Sequence, residues 1–151
     1  MPMLPQLTDA MKAVLQQAQA DARHLNQEFV SIEHLLLALL HTEHTDVMRV
    51  LKSLRLDPEL LRSEVAEFLP FSETPPSVSG DLPLSPKAQR LINSAVVKSR
   101  ALREPKVSTR LLMLSIIDEG NSLLNEALRS AGTTTADLQV ALGSKPEHPE
   151  A

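Results

Sequence analysis

The sequence predicts an all-α protein built from two tandem, pseudo-symmetric four-helix repeats, eight helices in one compact unit. Three observations predict it. Apolar residues recur at i, i+3, i+4 and i+7 along most of the chain, the period of a helix buried on one face. Residues 7–66 align without a gap on residues 84–143 at an offset of 77, with 11 of 60 pairs identical and with matching apolar and cap positions. The apolar set is almost wholly aliphatic, with no Trp or Tyr and only Phe29, Phe68 and Phe71, which suits helix packing better than strands.

The first helix follows Thr8 and carries Met11, Val14, Leu15, Ala18, Ala22 and Leu25. Its counterpart follows Ser85, has Pro86 at the first helical position, and carries Ala88, Leu91, Ile92, Ala95 and Leu102. The second pair starts after Ser31 and after Ser108. Their segments Leu35–Leu40 and Leu111–Ile117 are apolar nearly all round, so they form the buried centre of each repeat. The third pair runs from about Thr45 to Leu54 and from about Asn121 to Ala131, where Gly132 supplies a left-handed cap. The fourth pair opens at Asp57-Pro58 and at Thr134, which has Asp137 at capping-box spacing.

Repeat one thus spans 7–67 and repeat two 84–143. Between them, residues 68–83 contain Pro70, Pro75, Pro76, Gly80 and Pro83 and read as a linker. Phe68 and Phe71 in it are expected to plug the seam between the repeats, with exposed partner contact as the alternative reading. Residues 144–151 hold two prolines and no apolar periodicity, and are expected to be a disordered tail.

Composition narrows the function classes. With 42% apolar and 23% charged residues the chain reads as an ordinary globular protein. The absence of cysteine excludes disulfides and thiolate-bound metal centres. The segment Met1–Pro5 lacks the basic-then-apolar order of a secretory leader, and no apolar run approaches membrane-span length, so the expected location is the cytoplasm. A net charge of −4 argues against general nucleic-acid affinity. The charge is uneven: residues 7–67 carry ten acids and six bases, residues 84–143 five acids and eight bases. This reads either as two solvated faces or as a module that steers an acidic partner to its second half.

The segment Ser31-Ile32-Glu33-His34-Leu35-Leu36-Leu37-Ala38-Leu39-Leu40 resembles the signature of the Clp amino-terminal (Clp R) repeat, and Leu84-Ser85-Pro86-Lys87-Ala88 is similar to the start of that family's second repeat. The resemblance covers residues 7–143. It implies the double-repeat N-terminal domain of AAA+ unfoldases such as ClpC, ClpA and ClpB. Its implied role is recognition of adaptor or substrate proteins, with a Clp ATPase ring or peptidase core as a further partner. It implies no catalysis and no cofactor in this chain. None of the four glycines opens the phosphate-cradling loop that an ATPase needs. A free-standing ClpT-like accessory subunit and, from a different class, a helical DNA-binding regulator are the alternatives. The resemblance further implies that the Glu of each Glu-His pair holds the guanidinium of phosphorylated arginine. Glu33 matches in the first repeat. Arg110 followed by Leu111 replaces the pair in the second, and an arginine there repels a guanidinium.

The candidate peptide or phosphoarginine-like site is accordingly Glu33 with Thr8 and Ser85, since exposed helix N-termini hold anions. Each also has a plain structural role, Glu33 on the helix dipole and Thr8 and Ser85 as caps. Lys87, Arg90 and Arg110, from the basic cluster of the fifth helix and the segment after it, and Phe71 are the candidate partner surface; a solvated polar face is the alternative. His24, His34, His41 and His44 crowd one stretch of sequence. They lack tightly spaced paired ligands, so they read as surface or core histidines, with His34 inside, and no metal site is expected. No nucleophile–base pair or carboxylate dyad stands at helix-specific spacing.

Overall fold

Each helix opens where a short polar residue leaves extended backbone and, in all but one case, takes over a free amide donor of the first turn. The computed structural model describes residues 5–151; Met1–Leu4, part of the stretch searched above for a leader, lie outside them. The helices are α1 (Asp9–His24), α2 (Ile32–Leu39), α3 (Asp46–Ser53), α4 (Pro58–Glu67), α5 (Pro86–Ala101), α6 (Thr109–Glu119), α7 (Ser122–Ser130) and α8 (Thr135–Gly143). Their N-caps are Thr8, Ser31, Thr45, Asp57, Ser85, Ser108, Asn121 and Thr134. All but Ser108 accept a backbone N–H, the usual satisfaction of a helix start.

The C-terminal caps repeat as well. Asn26 and Arg103, 77 residues apart, follow α1 and α5 with φ of 55° each, and Arg55 and Gly132 follow α3 and α7 with φ of 59° and 84°. Of these four, Gly132 alone takes up positive φ without a Cβ penalty.

The two halves are joined by a reciprocal exchange. Thr8 N–H donates to the Val107 carbonyl at 3.1 Å, and Ser85 N–H to the Val30 carbonyl at 2.8 Å. Val107 N–H donates to the Gln6 carbonyl at 2.8 Å, and Val30 N–H to the Pro83 carbonyl at 2.9 Å. Each bond maps on its mate by the offset of 77, so the segment entering α1 pairs with the segment entering α6, and that entering α5 with that entering α2. These two parallel bridges are the extended pairings among the described residues, which hold no strand.

Packing follows the same exchange. Helix α1 lies on α2 and α5 on α6 within each half, while α4 packs against α7 and α3 against α8 across them. The nearly all-apolar α2 and α6 touch each other at the centre. Leu35, Leu36, Leu39, Leu111, Leu112 and Met113 are wholly buried in one cluster that draws on both repeats. Neither half therefore buries its own core alone.

Two expectations are corrected here. Phe68 and Phe71 do not plug the seam; they are 68% and 63% exposed. Aliphatic side chains from both repeats form the shared core, and no phenylalanine takes part in it among the described residues. The segment Ser144–Ala151 does not hang free. It has no regular structure, but it turns back across the start of α1 and α3, with Glu150 only 8% exposed. Polar contacts place it, and apolar periodicity carries no trace of those.

Candidate functional site

The exchange creates two equivalent places where helix N-termini from both halves converge. At the first, the starts of α2, α5 and α7 surround an open groove of about 780 Å³ lined by Phe29, Ser31, Ile32, Glu33, Ser85, Pro86, Lys87, Arg90 and the Glu119–Ser122 turn. At the second, the starts of α1, α3 and α6 meet, and the carboxylate of Glu150 lies between them.

The structure thus divides the residues singled out from sequence. Glu33 and Ser85 belong to different repeats yet face the same groove, because Val30 and Leu84 pair just ahead of them. Glu33 is half-buried, whereas Lys87 and Arg90 are exposed and form no ion pair among the described residues. A carboxylate from α2 and basic side chains from α5 in one groove allow it to take a ligand carrying both signs of charge. Thr8 lies at the other junction and is buried, at 4% exposure, with its hydroxyl donating to Glu150 at 2.5 Å. It is not part of the open groove. Phe71 is exposed and does not line the open groove.

Arg110 requires a correction. It is only 2% exposed and presents no partner surface. Its guanidinium pairs with Glu104 at 2.5 Å and donates to the Leu142 carbonyl at 3.0 Å in the last turn of α8. A cation at a helix C-terminus complements the dipole and satisfies a free carbonyl. The other bases of that cluster stay at the surface, and Lys98 pairs with Asp118 at 2.7 Å.

His34, next to Glu33 in the chain, is buried and does not line the groove. It is the third residue of α2. Its backbone N–H donates to Ser31 Oγ at 3.4 Å, while the Ser31 N–H donates to His34 Nδ1 at 2.9 Å, a reciprocal capping box. Nδ1 accepts, so the ring proton sits on Nε2, a buried atom with no partner. Burial holds the His34 pKa below the usual imidazole value, against the opposing pull of Glu33 and Asp21. The unfolded chain consequently takes up a proton near pH 6.5 that the folded chain refuses. Stability carried by neutral His34 is complete above that pH and is lost as pH falls toward the lowered folded value. His34→Gln keeps the capping acceptor without titrating. Urea melts between pH 7.5 and 5 should fall off less steeply for this variant than for wild type; parallel curves would show that His34 does not titrate on unfolding. His24, His41 and His44 are exposed. Among the described residues no group of three or more His, Asp or Glu is gathered as metal ligands would be, and no helix is long and apolar enough to cross a membrane.

Comparison with known proteins agrees with this architecture. The profile of the Clp repeat (R) N-terminal domain matches residues 6–131. The ClpA-homolog ATP-binding subunit of the ATP-dependent Clp protease from Cyanidium caldarium is 28% identical over 137 residues, which are 91% of this chain and 16% of that protein. A probable ATP-dependent Clp protease ATP-binding subunit of Chlamydia pneumoniae is 27% identical over 128 residues, 85% of this chain and 15% of that one. The chain therefore spans about one-sixth of the length of the curated relatives it matches. Among solved structures, the N-domain of ClpV from Vibrio cholerae has a TM-score of 0.72 at 20% identity, covering 98% of this chain and 96% of that one. A ClpV N-domain in complex with a VipB peptide has a TM-score of 0.68 at 18% identity, covering 95% and 96%. At these identities the likeness is one of fold. Eight helices in two exchanged repeats, and a family profile that spans most of them, place this chain in the Clp repeat (R) N-terminal domain family.

Proposed function

We propose that the chain is a protein-recognition module of a Clp unfoldase or protease system, binding adaptor or substrate proteins through the groove between α2, α5 and α7 without catalysis of its own. One observation carries this reading. Glu33 of the first repeat and the Ser85-capped start of α5 in the second line the same open groove, with Lys87 and Arg90 beside them. A helix N-terminus flanked by two bases attracts a phosphate or carboxylate, while a half-buried carboxylate accepts a guanidinium. A phosphorylated arginine side chain presents those two poles in that order. The peptide seated on the ClpV N-domain supports the choice of a protein ligand.

Calorimetric titration with free phosphoarginine is the direct test. Wild type should bind, and Glu33→Ala should bind at least about tenfold more weakly, the equivalent of one charge-assisted hydrogen bond. Lys87→Gln should weaken phosphoarginine more than it weakens arginine lacking the phosphate. Equal titration curves for wild type and Glu33→Ala would remove Glu33 from the site.

A second reading, docking on a Clp ring or peptidase core, is favoured by the exposed Phe68. It lines a groove of about 430 Å³ between α4 and α7 with Leu123, Ala127 and three glutamates. Co-purification that depends on Phe68 and not on Glu33 would select it.

A further inference from the structure

The second junction holds a built contact that the reading of the open groove does not use. The Glu150 carboxylate receives four donors: Thr8 Oγ1 at 2.5 Å, Asp46 N–H at 2.8 Å, Thr109 N–H at 3.0 Å and Thr109 Oγ1. These come from the starts of three helices, α1, α3 and α6, belonging to both repeats. The main chain around it is read too. Glu150 N–H donates to Asp46 Oδ1 at 2.9 Å, Ala10 N–H donates to the Ala151 carbonyl at 3.2 Å, and the Arg49 guanidinium donates to the His148 carbonyl.

Repeat two is also arranged to need an outside carboxylate. In repeat one, Ser31 and His34 satisfy each other at the start of α2. At the equivalent place Leu111 stands where His34 would, so no side chain can return to the start of α6. Ser108 makes no cap bond, and its hydroxyl is buried without a partner. Glu150 takes the first helical amide of α6 and the hydroxyl of the same residue, Thr109, which the Ser108 side chain does not serve. Asp46 contributes a second buried carboxylate, raised in pKa by burial and then by the charge of Glu150. Such a pair is tolerated only where both acids are held by several donors.

We propose that the junction of α1, α3 and α6 is a receptor for a glutamate-bearing extended peptide, and that residues 144–151 occupy it in cis. Thr8, Thr109 and the Asp46 amide read the carboxylate; Asp46 Oδ1, Ala10 and Arg49 read the flanking main chain. A partner segment of the same chemistry gains access only by displacing Glu150. The tether holds Glu150 at a high local concentration, which lowers the apparent affinity for any competitor. This junction is separate from the Glu33 groove, so the inference stands or falls independently of the proposed function.

The test supplies a synthetic peptide of sequence Ser144–Ala151, fluorescently labelled at its first residue, to the whole chain in trans. Glu150→Ala should bind it at least about tenfold more tightly than wild type does, because the resident carboxylate is gone. Adding Thr109→Val should abolish that gain, and a peptide with Gln in place of Glu150, its Glu147 kept, should not bind. In hydrogen exchange, the Asp46 and Thr109 amides should exchange faster in Glu150→Ala than in wild type, while the core amides of α2 stay protected. Equal peptide affinity for wild type and Glu150→Ala overturns the proposal. So does a lack of binding to both, or binding that survives Thr109→Val.

Discussion

Replacing Arg110 by alanine should lower the unfolding free energy by about 3–5 kcal/mol, the cost of breaking a buried pair by removing one partner. The guanidinium is 2% exposed and Glu104 only 11%. The substitution therefore leaves a carboxylate with little water around it and the Leu142 carbonyl without its donor. Against a total stability of about 5–15 kcal/mol, that is a large share. The effect should come mainly from the stranded partner and less from any net gain in the pair itself. Arg110→Met combined with Glu104→Leu should accordingly recover most of the loss, since an apolar pair of similar volume costs no desolvation. Urea denaturation of Arg110→Met, Glu104→Leu and the double variant closes the cycle. A loss below about 1 kcal/mol for Arg110→Ala would mean that water reaches the pair and that the residue behaves as a surface charge.

Leu112→Ala and its counterpart in the first repeat, Leu35→Ala, should each cost about 2–5 kcal/mol. Both side chains are wholly buried, on the two central helices α6 and α2, and each deletion leaves a cavity that the surrounding aliphatic packing closes only in part. The shape of the transition is the sharper readout. Because one apolar cluster spans both repeats, either substitution should shift a single cooperative unfolding curve with its slope unchanged. If Leu112→Ala produced a first transition confined to α5–α8 and left α1–α4 folded, the two halves would be independent bundles and the shared core would be wrong.

These two effects differ in how far they could be anticipated. The burial of Leu35 and Leu112 follows from apolar runs with no polar face, a local property that needs no knowledge of the partner helix. The burial of Arg110 does not follow. At the sequence level it sits among Lys87, Arg90, Lys98, Arg100, Arg103 and Lys106 and looks like the last member of a solvated basic face. Helix α6 is central, however, so even its first turn is enclosed, and the charge is tolerable because nearby Glu104 folds back onto it and the end of α8 arrives from farther along the chain.

What the residues determined by themselves is short-range: eight helices, their caps and the duplication. Capping and helical periodicity act over three to seven residues, and the offset of 77 copies them in order. Even the identity of the family was written in one such stretch, Ser31–Leu40. What only the tertiary structure decided is which ends meet. The exchange of extended segments sends Glu33 to Ser85 in one groove and separates both from Thr8, three residues that the sequence offered as one group. It also brings Glu150 to within hydrogen-bonding distance of Thr8, although 142 positions separate them in the chain. Contacts of that kind are set by three-dimensional complementarity between polar groups with no periodicity to announce them, so a tail that reads as featureless holds the best-satisfied carboxylate in the protein's second junction.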